Sequence, residues 1–288
     1  MGDSHLNGFL EHLAQRRRYS PRTIEAYGFA IRTYLGHFRD RGFAPEQASQ
    51  ATVLAYLKYR EHEGLGPGGI HQAILALRHF YRFLGAADPT SGIPLPRLRP
   101  KLPEPLGRDE ISRLLEQPKS SRFVHIRDKA ILELLYATGL RISELLGLEI
   151  GQIDLDAGTL RVRGKGGRER LVPFGRRAVE ALERFIAARK KRFPDVSGSL
   201  FLSGRGGPLR RTHFWRRLKD YARQAGITRR VSPHVLRHSF ATHMLSGGAD
   251  LRSLQAMLGH RRITTTEIYA HVEPEHLRRV WDRAHPLR

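Results

Sequence analysis

The sequence contains no cysteine. Disulfides, thiolate metal sites and a cysteine nucleophile are thereby excluded, and a reducing compartment suits the chain. Long apolar runs are missing as well. No stretch reaches the roughly 18 uninterrupted apolar residues that a membrane-spanning helix needs. The opening Met1-Gly2-Asp3-Ser4-His5 lacks the basic and then apolar stretch of a signal peptide, so a cytosolic protein without membrane contact is expected. Acidic residues are scarce: 28 Asp plus Glu face 50 Lys plus Arg, a net charge of +22. Even lysine is scarce, contributing only eight of those fifty.

What is present is arginine. A charge this large repels itself unless a polyanion is usually nearby, and nucleic acid is the commonest polyanion. Attachment to a membrane surface fits less well, because the basic residues are dispersed along the chain. The planar guanidinium fork grips phosphate through two hydrogen bonds, which suits contacts to a nucleic-acid backbone. With 288 residues, 40% of them apolar and 27% charged, the chain has the length and composition of a soluble two-domain protein. It shows no internal repeat and no low-complexity segment.

The clearest seam is the proline-rich stretch 93–106, with five prolines in the twelve residues from Pro94 to Pro105. That density prevents continuous helix and favours a semi-rigid connector, and its three basic residues suit a strap along a phosphate backbone. Residues 1–106 carry 14 basic and 9 acidic groups, residues 107–288 carry 36 and 19, so the second part holds most of the field.

The first part, 1–92, reads as all helical. Ser20-Pro21 combines a capping serine with proline at the first helical position. Ile24, Tyr27, Ile31, Tyr34 and Leu35 follow at helical spacing. After the glycine-rich turn 64–69, the same pattern recurs in Ile70, Ile74, Leu77, Tyr81 and Leu84. These aromatics read as core. In the second part, 107–288, helical patterns cover 109–116, 126–138 and 176–192. Between them, the alternating runs 159–163 and 168–172 flank Gly164-Lys165-Gly166-Gly167, a β-hairpin with Lys165 at its tip. A further strand is expected at 199–202.

Three polar clusters stand out. In Thr138-Gly139-Leu140-Arg141-Ile142-Ser143-Glu144, Gly139 interrupts a helix and places Arg141 beside Glu144. In Ser232-Pro233-His234-Val235-Leu236-Arg237-His238, a second Ser-Pro starts a helix. His234 and Arg237 then fall on one face near its positively polarised end, where a phosphate is favoured. In Leu258-Gly259-His260, glycine ends a helix. Thr264 and Glu267 then make a capping box that sets Tyr269 early in a short helix. Taken singly, each has a plainer meaning: an ion pair, a half-buried tyrosine, a cap. His234 and His238 share a spacing used by zinc helices, but no glutamate intervenes as in a metallohydrolase, and Arg237 would set a cation beside the metal.

Taken together, these clusters resemble the tyrosine recombinases, the lambda-integrase family. The run from Val231 to Val272 contains that family's His-x-x-Arg box at 234–237, its Leu-Gly-His box at 258–260, and a tyrosine nine residues beyond that histidine. The resemblance spans nearly the whole chain. It implies an all-α N-terminal core-binding, SAM-like domain over 1–92, a linker over 93–106, and a mainly α catalytic domain over 107–288 with a small antiparallel β-sheet. It further implies a catalytic set of Arg141, Lys165, His234, Arg237, His260 and Tyr269, with Glu144 supporting the first arginine.

By the same resemblance, Tyr269 is the nucleophile and forms a 3′-phosphotyrosyl link to DNA. No cofactor and no metal are implied. Length and ending are most similar to the Xer branch. That branch implies resolution of chromosome or plasmid dimers at a short, partly palindromic duplex site. It also implies a tetramer on DNA, a XerC-like paralogous partner and an FtsK-like translocase. Another integrase role, type IB topoisomerase-like relaxation and non-catalytic DNA binding are the alternatives. The apolar stripe Leu277, Val280, Trp281 and Ala284 on the last helix has two readings, packing on its own domain or docking onto a neighbouring protomer, and the resemblance implies the second.

Overall fold

The computed structural model describes residues 2–15, 19–38, 44–97, 104–164, 169–259 and 273–287. It divides into two compact units, Met1–Lys101 and Leu102–Arg288, the division falling inside the proline-rich stretch.

The first unit is helical: α1 (Gly2–Gln15), α2 (Pro21–His37), α3 (Gln50–His62) and α4 (Pro67–Leu84). Ser20 caps α2 as its residue type predicts, its hydroxyl accepting from the Thr23 amide, with Pro21 next in line. Ser49 does the same for α3 through Thr52. α4 begins within the glycine-rich turn, because Pro67 is pre-set for a first helical position, so Gly68 and Gly69 are helical. Ile31, Tyr34, Ile74, Leu77 and Tyr81 lie in one apolar core with Phe9 and Phe80. The Tyr34 and Tyr81 hydroxyls satisfy each other at 2.7 Å, and burial pushes the Tyr34 hydroxyl up to about 12. These tyrosines are core groups.

The second unit holds α5 (Arg108–Leu115), α6 (Phe123–Thr138), α7 (Ile142–Leu146), strands β1 (Ile153–Asp154), β2 (Thr159–Arg163) and β3 (Glu169–Pro173), then α8 (Arg176–Arg192), α9 (Arg211–Gln224), α10 (Pro233–Ser246), α11 (Leu251–Leu258) and α12 (Pro274–Ala284). The strands form an antiparallel sheet in the order β1-β2-β3, with Val162 opposite Arg170 and Arg163 opposite Glu169. β1 was not anticipated, being only two residues long. The strand expected at 199–202 is reduced to two isolated bridges, Glu149 with Ser199 and Leu202 with Pro208.

α6 runs through the middle of this unit and is buried on nearly every side, from Ala130 to Thr138. Its two buried carboxylates are paired, as burial requires. Asp128 accepts from Arg127, Arg217 and Tyr221, and Glu133 meets Lys129 at 3.1 Å and Arg177 at 3.2 Å.

The last helix corrects an expectation. Leu277, Val280, Trp281 and Ala284 form a stripe as the spacing indicates, but it packs into the core of its own unit. Trp281 is 1% exposed, donates its indole N–H to the Ala137 carbonyl at 2.7 Å, and stacks on His285 at 4.3 Å. Burial holds the His285 imidazole down at about 4, so the stacked ring is neutral. An amphipathic stripe announces that something covers it; sequence spacing does not say what. Trp281→Ala is therefore expected to destabilise the protein by about 3–5 kcal/mol, the usual cost of emptying a buried aromatic site. Thermal unfolding checks this, and an unchanged melting temperature would contradict the packing.

Among the described residues, no helix is long and apolar enough to cross a membrane.

Candidate active site

Three local backbone devices bring the polar clusters together. The first is the end of α6. Gly139 adopts φ 59°, and its amide closes the last turn onto Leu135. A Cβ at this position would collide with the Phe240 ring, so both conformation and space call for glycine. The chain reverses and starts α7 with Arg141 as its first flanking residue. Glu144 then reaches back: its Oε2 accepts from the Arg141 amide at 3.0 Å, and its Oε1 from the Arg141 guanidinium at 2.9 Å. One carboxylate thus caps the helix and aims the arginine.

The second device is the start of α10, where the Ser232 hydroxyl accepts from the Val235 amide and Pro233 follows. His234, in the first turn, is exposed. Arg237, one turn on, is buried and ties two elements together. It donates to the Gly139 carbonyl at 2.7 Å and to the Leu258 carbonyl at 2.8 Å. The third device is Gly259, with φ 66°, which ends α11.

The sequence reading missed Arg170, on β3. It donates to both carboxylate oxygens of Glu144, at 3.4 and 3.0 Å, and to the Met257 carbonyl at 2.9 Å. Its signal was faint: one more arginine in an alternating strand, with a partner 26 residues earlier in the chain.

The electrostatics follow from this arrangement. Burial alone would raise the Glu144 carboxyl, but the hydrogen bonds and charge of Arg170, with hydrogen bonds from Arg141, prevail and hold it below the ordinary carboxylate range. The Arg237 guanidinium is pushed down to about 10, first by burial and then by the charge of Arg141. Two guanidiniums thus pair with one carboxylate while a third, Arg237, stands near on backbone carbonyls, leaving the cluster short of negative charge. An anion would relieve it. Arg141, with 41% of its side chain exposed, and His234 present their polar groups outward.

Arg141, Glu144 and Arg237 are therefore brought together by the fold, with His234 one turn from Arg237. Lys165, His260 and Tyr269 lie outside the described residues, as does the Thr264–Glu267 capping box. In the chain, Lys165 falls between the described residues Gly164 and Glu169, and His260 and Tyr269 between Gly259 and Glu273.

Comparison with known proteins identifies this architecture. The phage integrase family is matched over residues 104–276, and the N-terminal SAM-like domain of phage integrases over 6–88. The chain belongs to the phage integrase family and is a site-specific tyrosine recombinase built from a SAM-like helical domain and a catalytic domain. Several relatives similar over nearly the whole chain are of the Xer type. It is 40% identical to the tyrosine recombinase XerD of Shewanella oneidensis, covering 99% of this chain and 97% of that one. It is 38% identical to the tyrosine recombinase XerC of Pelotomaculum thermopropionicum, covering 98% of each. Among solved structures, XerA recombinase is 30% identical with a TM-score of 0.53 over 99% of both chains. XerH recombinase, solved on its palindromic difH substrate after cleavage, shares the fold at 23% identity and a TM-score of 0.70, covering 91% of this chain and 80% of that one.

Proposed function

We propose that Arg141, Lys165, His234, Arg237, His260 and Tyr269 form the active site of this recombinase, on a duplex held by a helical domain at 1–92 and a catalytic domain at 107–288. The observation that carries the assignment is the gathering of Arg141 and Arg170 on the single carboxylate of Glu144, with the Arg237 guanidinium fixed nearby on backbone carbonyls. Phosphodiester transfer concentrates negative charge on the non-bridging oxygens as the nucleophile adds. A pre-formed excess of guanidinium charge, fixed by backbone carbonyls, meets that charge without reorganising. Arg141 and Arg237 hold the two oxygens, and Glu144 keeps Arg141 aimed.

Tyr269 supplies the nucleophilic oxygen. A bond forms from it to phosphorus as the bond from phosphorus to the 5′-oxygen breaks, leaving a 3′-phosphotyrosine and a free 5′-hydroxyl. One phosphodiester replaces another, so rejoining needs no ATP. The Lys165 ammonium gives the 5′-oxygen its proton, which an arginine at its pKa effectively cannot do. His234 takes part in proton traffic with the Tyr269 hydroxyl, and His260 donates a hydrogen bond to the phosphate. Lys165→Ala is accordingly expected to block cleavage of ordinary DNA while leaving substantial cleavage of a 5′-bridging phosphorothiolate, whose sulfur departs without a proton. Equal loss on both substrates would remove Lys165 from the acid's role.

Double-stranded DNA with a short, partly palindromic site is the proposed substrate, and a tetramer on two such duplexes the working assembly. The nearly full-length similarity to XerD and XerC proteins supports resolution of chromosome or plasmid dimers, with a XerC-like paralogue and an FtsK-like translocase as partners. The test begins by crosslinking the protein in its cells and sequencing the bound DNA. Two copies of the recovered site are placed on one plasmid and incubated with the protein, alone and with its paralogue, in EDTA and without ATP. Exchange between the sites is the expected result. Relaxation without exchange would mark a topoisomerase-like activity, and binding alone would overturn the catalytic assignment.

A further inference from the structure

We propose that Arg170 is a positioning residue of the recombinase: it fixes the end of α11, at Met257, to the Arg141–Glu144 pair, so that the two keep one geometry. The proposal rests on the active site assigned above and adds to it a residue that never touches the phosphate.

Arg170 is placed for this by its strand. β3 lies against both α6 and α11, and the Arg170 side chain is only 15% exposed. Its Nη atoms hold Glu144, while its Nε donates to the carbonyl of Met257 in the last turn of α11. The neighbouring carbonyl, Leu258, is held by Arg237. Two guanidiniums from different elements thus satisfy successive carbonyls that the helix end leaves unpaired. Gly259 completes the contact. A Cβ there would come within 3.0 Å of the Arg170 guanidinium carbon and 3.1 Å of one of its nitrogens. Glycine at 259 thus serves two needs, the positive φ and the close approach of Arg170.

A planar fork can span these two partners; an ammonium cannot. Lysine at this position keeps the charge beside Glu144 but loses the second arm. Charged and titratable groups facing Glu144 are Arg141 from the start of α7, Arg170 from β3 and Arg237 from α10, while α11 contributes the Met257 and Leu258 carbonyls to the same network. Without Arg170, burial acts on Glu144 against fewer cations, so its carboxyl rises. Glu144 then takes up its proton at higher pH, and a protonated Glu144 no longer aims Arg141.

The test compares wild type, Arg170→Gln and Arg170→Lys on a nicked duplex carrying the site recovered from cells, with protein saturating. Covalent adduct formation is followed as a first-order rate between pH 4.5 and 8, beside DNA affinity and melting temperature. For Arg170→Gln the rate should fall about ten- to a hundredfold, as when outer partners of a functional group are lost, with affinity changed by no more than about twofold. The acid limb of its rate profile should move to higher pH. Arg170→Lys should recover part of the rate and return the limb toward wild type. Superimposable rates and profiles in wild type and Arg170→Gln would overturn the proposal. So would a loss of affinity and melting temperature in both variants with the acid limb unmoved, which describes a merely structural residue. Absence of any adduct with wild-type protein would instead overturn the active-site assignment itself.

Discussion

Tyr269→Phe protein is expected to bind the recovered duplex as wild type does and to form no covalent adduct on a nicked substrate from which the cut strand cannot be rejoined. The change removes one oxygen atom and leaves the ring. Basic groups that attract the duplex, most of them in residues 107–288, are untouched, so affinity and its steep salt dependence should persist. Chemistry has no such reserve. Without a phenol oxygen no phosphotyrosine can form, and no other nucleophile has been assigned to the site, so the loss should be complete within detection. Adduct that survives the substitution would place the nucleophile elsewhere.

Arg237→Ala is expected to lower the cleavage rate by roughly a thousandfold or more, the scale on which arginines act at transferring phosphoryl groups. Arg141→Ala should lose a similar factor. What separates them is stability. Arg141 projects outward, 41% exposed, and its removal leaves Glu144 still bound by Arg170. Arg237 is 9% exposed and carries the carbonyls of Gly139 and Leu258. Truncating it leaves two buried acceptors without their donor, at a cost of about 2–4 kcal/mol. Arg237→Ala should therefore melt well below wild type, while Arg141→Ala melts close to it. Equal melting temperatures for the two variants would contradict the role given to the buried guanidinium. Because Arg237 holds two backbone carbonyls beside its proposed role at the phosphate, its catalytic loss should be read on protein shown by circular dichroism to be folded at the assay temperature.

The elements legible in the sequence were those written in local backbone chemistry. Ser20-Pro21 and Ser232-Pro233 announce helix starts because a hydroxyl and a fixed φ act within three residues, and both helices begin there. Gly139 and Gly259 announce helix ends because a left-handed conformation favours glycine whatever surrounds it, and both adopt it. The antiparallel pair followed from alternation along 159–163 and 168–172, the second strand being described at Glu169–Pro173. The Arg141–Glu144 pair was equally accessible, its partners being three residues apart on one helix end.

Features decided at long range were not legible. The stripe from Leu277 to Ala284 reads the same whether its own unit or a neighbour covers it. It is the carbonyl of Ala137, 144 residues away in the chain, that receives the Trp281 indole. Arg170 looked like any other arginine of a strongly basic chain until the fold set it between Glu144 and Met257. The segment at 199–202 was apolar enough for a strand, yet among the described residues it pairs through single bridges at either end, with partners about 50 residues earlier and six residues later that composition does not reveal.

The assignment as a whole stands on one chemical event, and its product can be isolated. Wild-type protein is trapped on the nicked duplex, the DNA trimmed by nuclease and the protein digested with trypsin. Cleavage after Arg262 and Arg278 gives the peptide 263–278, whose single tyrosine is Tyr269. Mass spectrometry should find this peptide carrying a nucleotide through a 3′-phosphate, with the modification mapped by fragmentation to Tyr269. A nucleotide on any other residue, a 5′-phosphate linkage, or an unmodified peptide from protein that has cleaved its substrate would contradict the account.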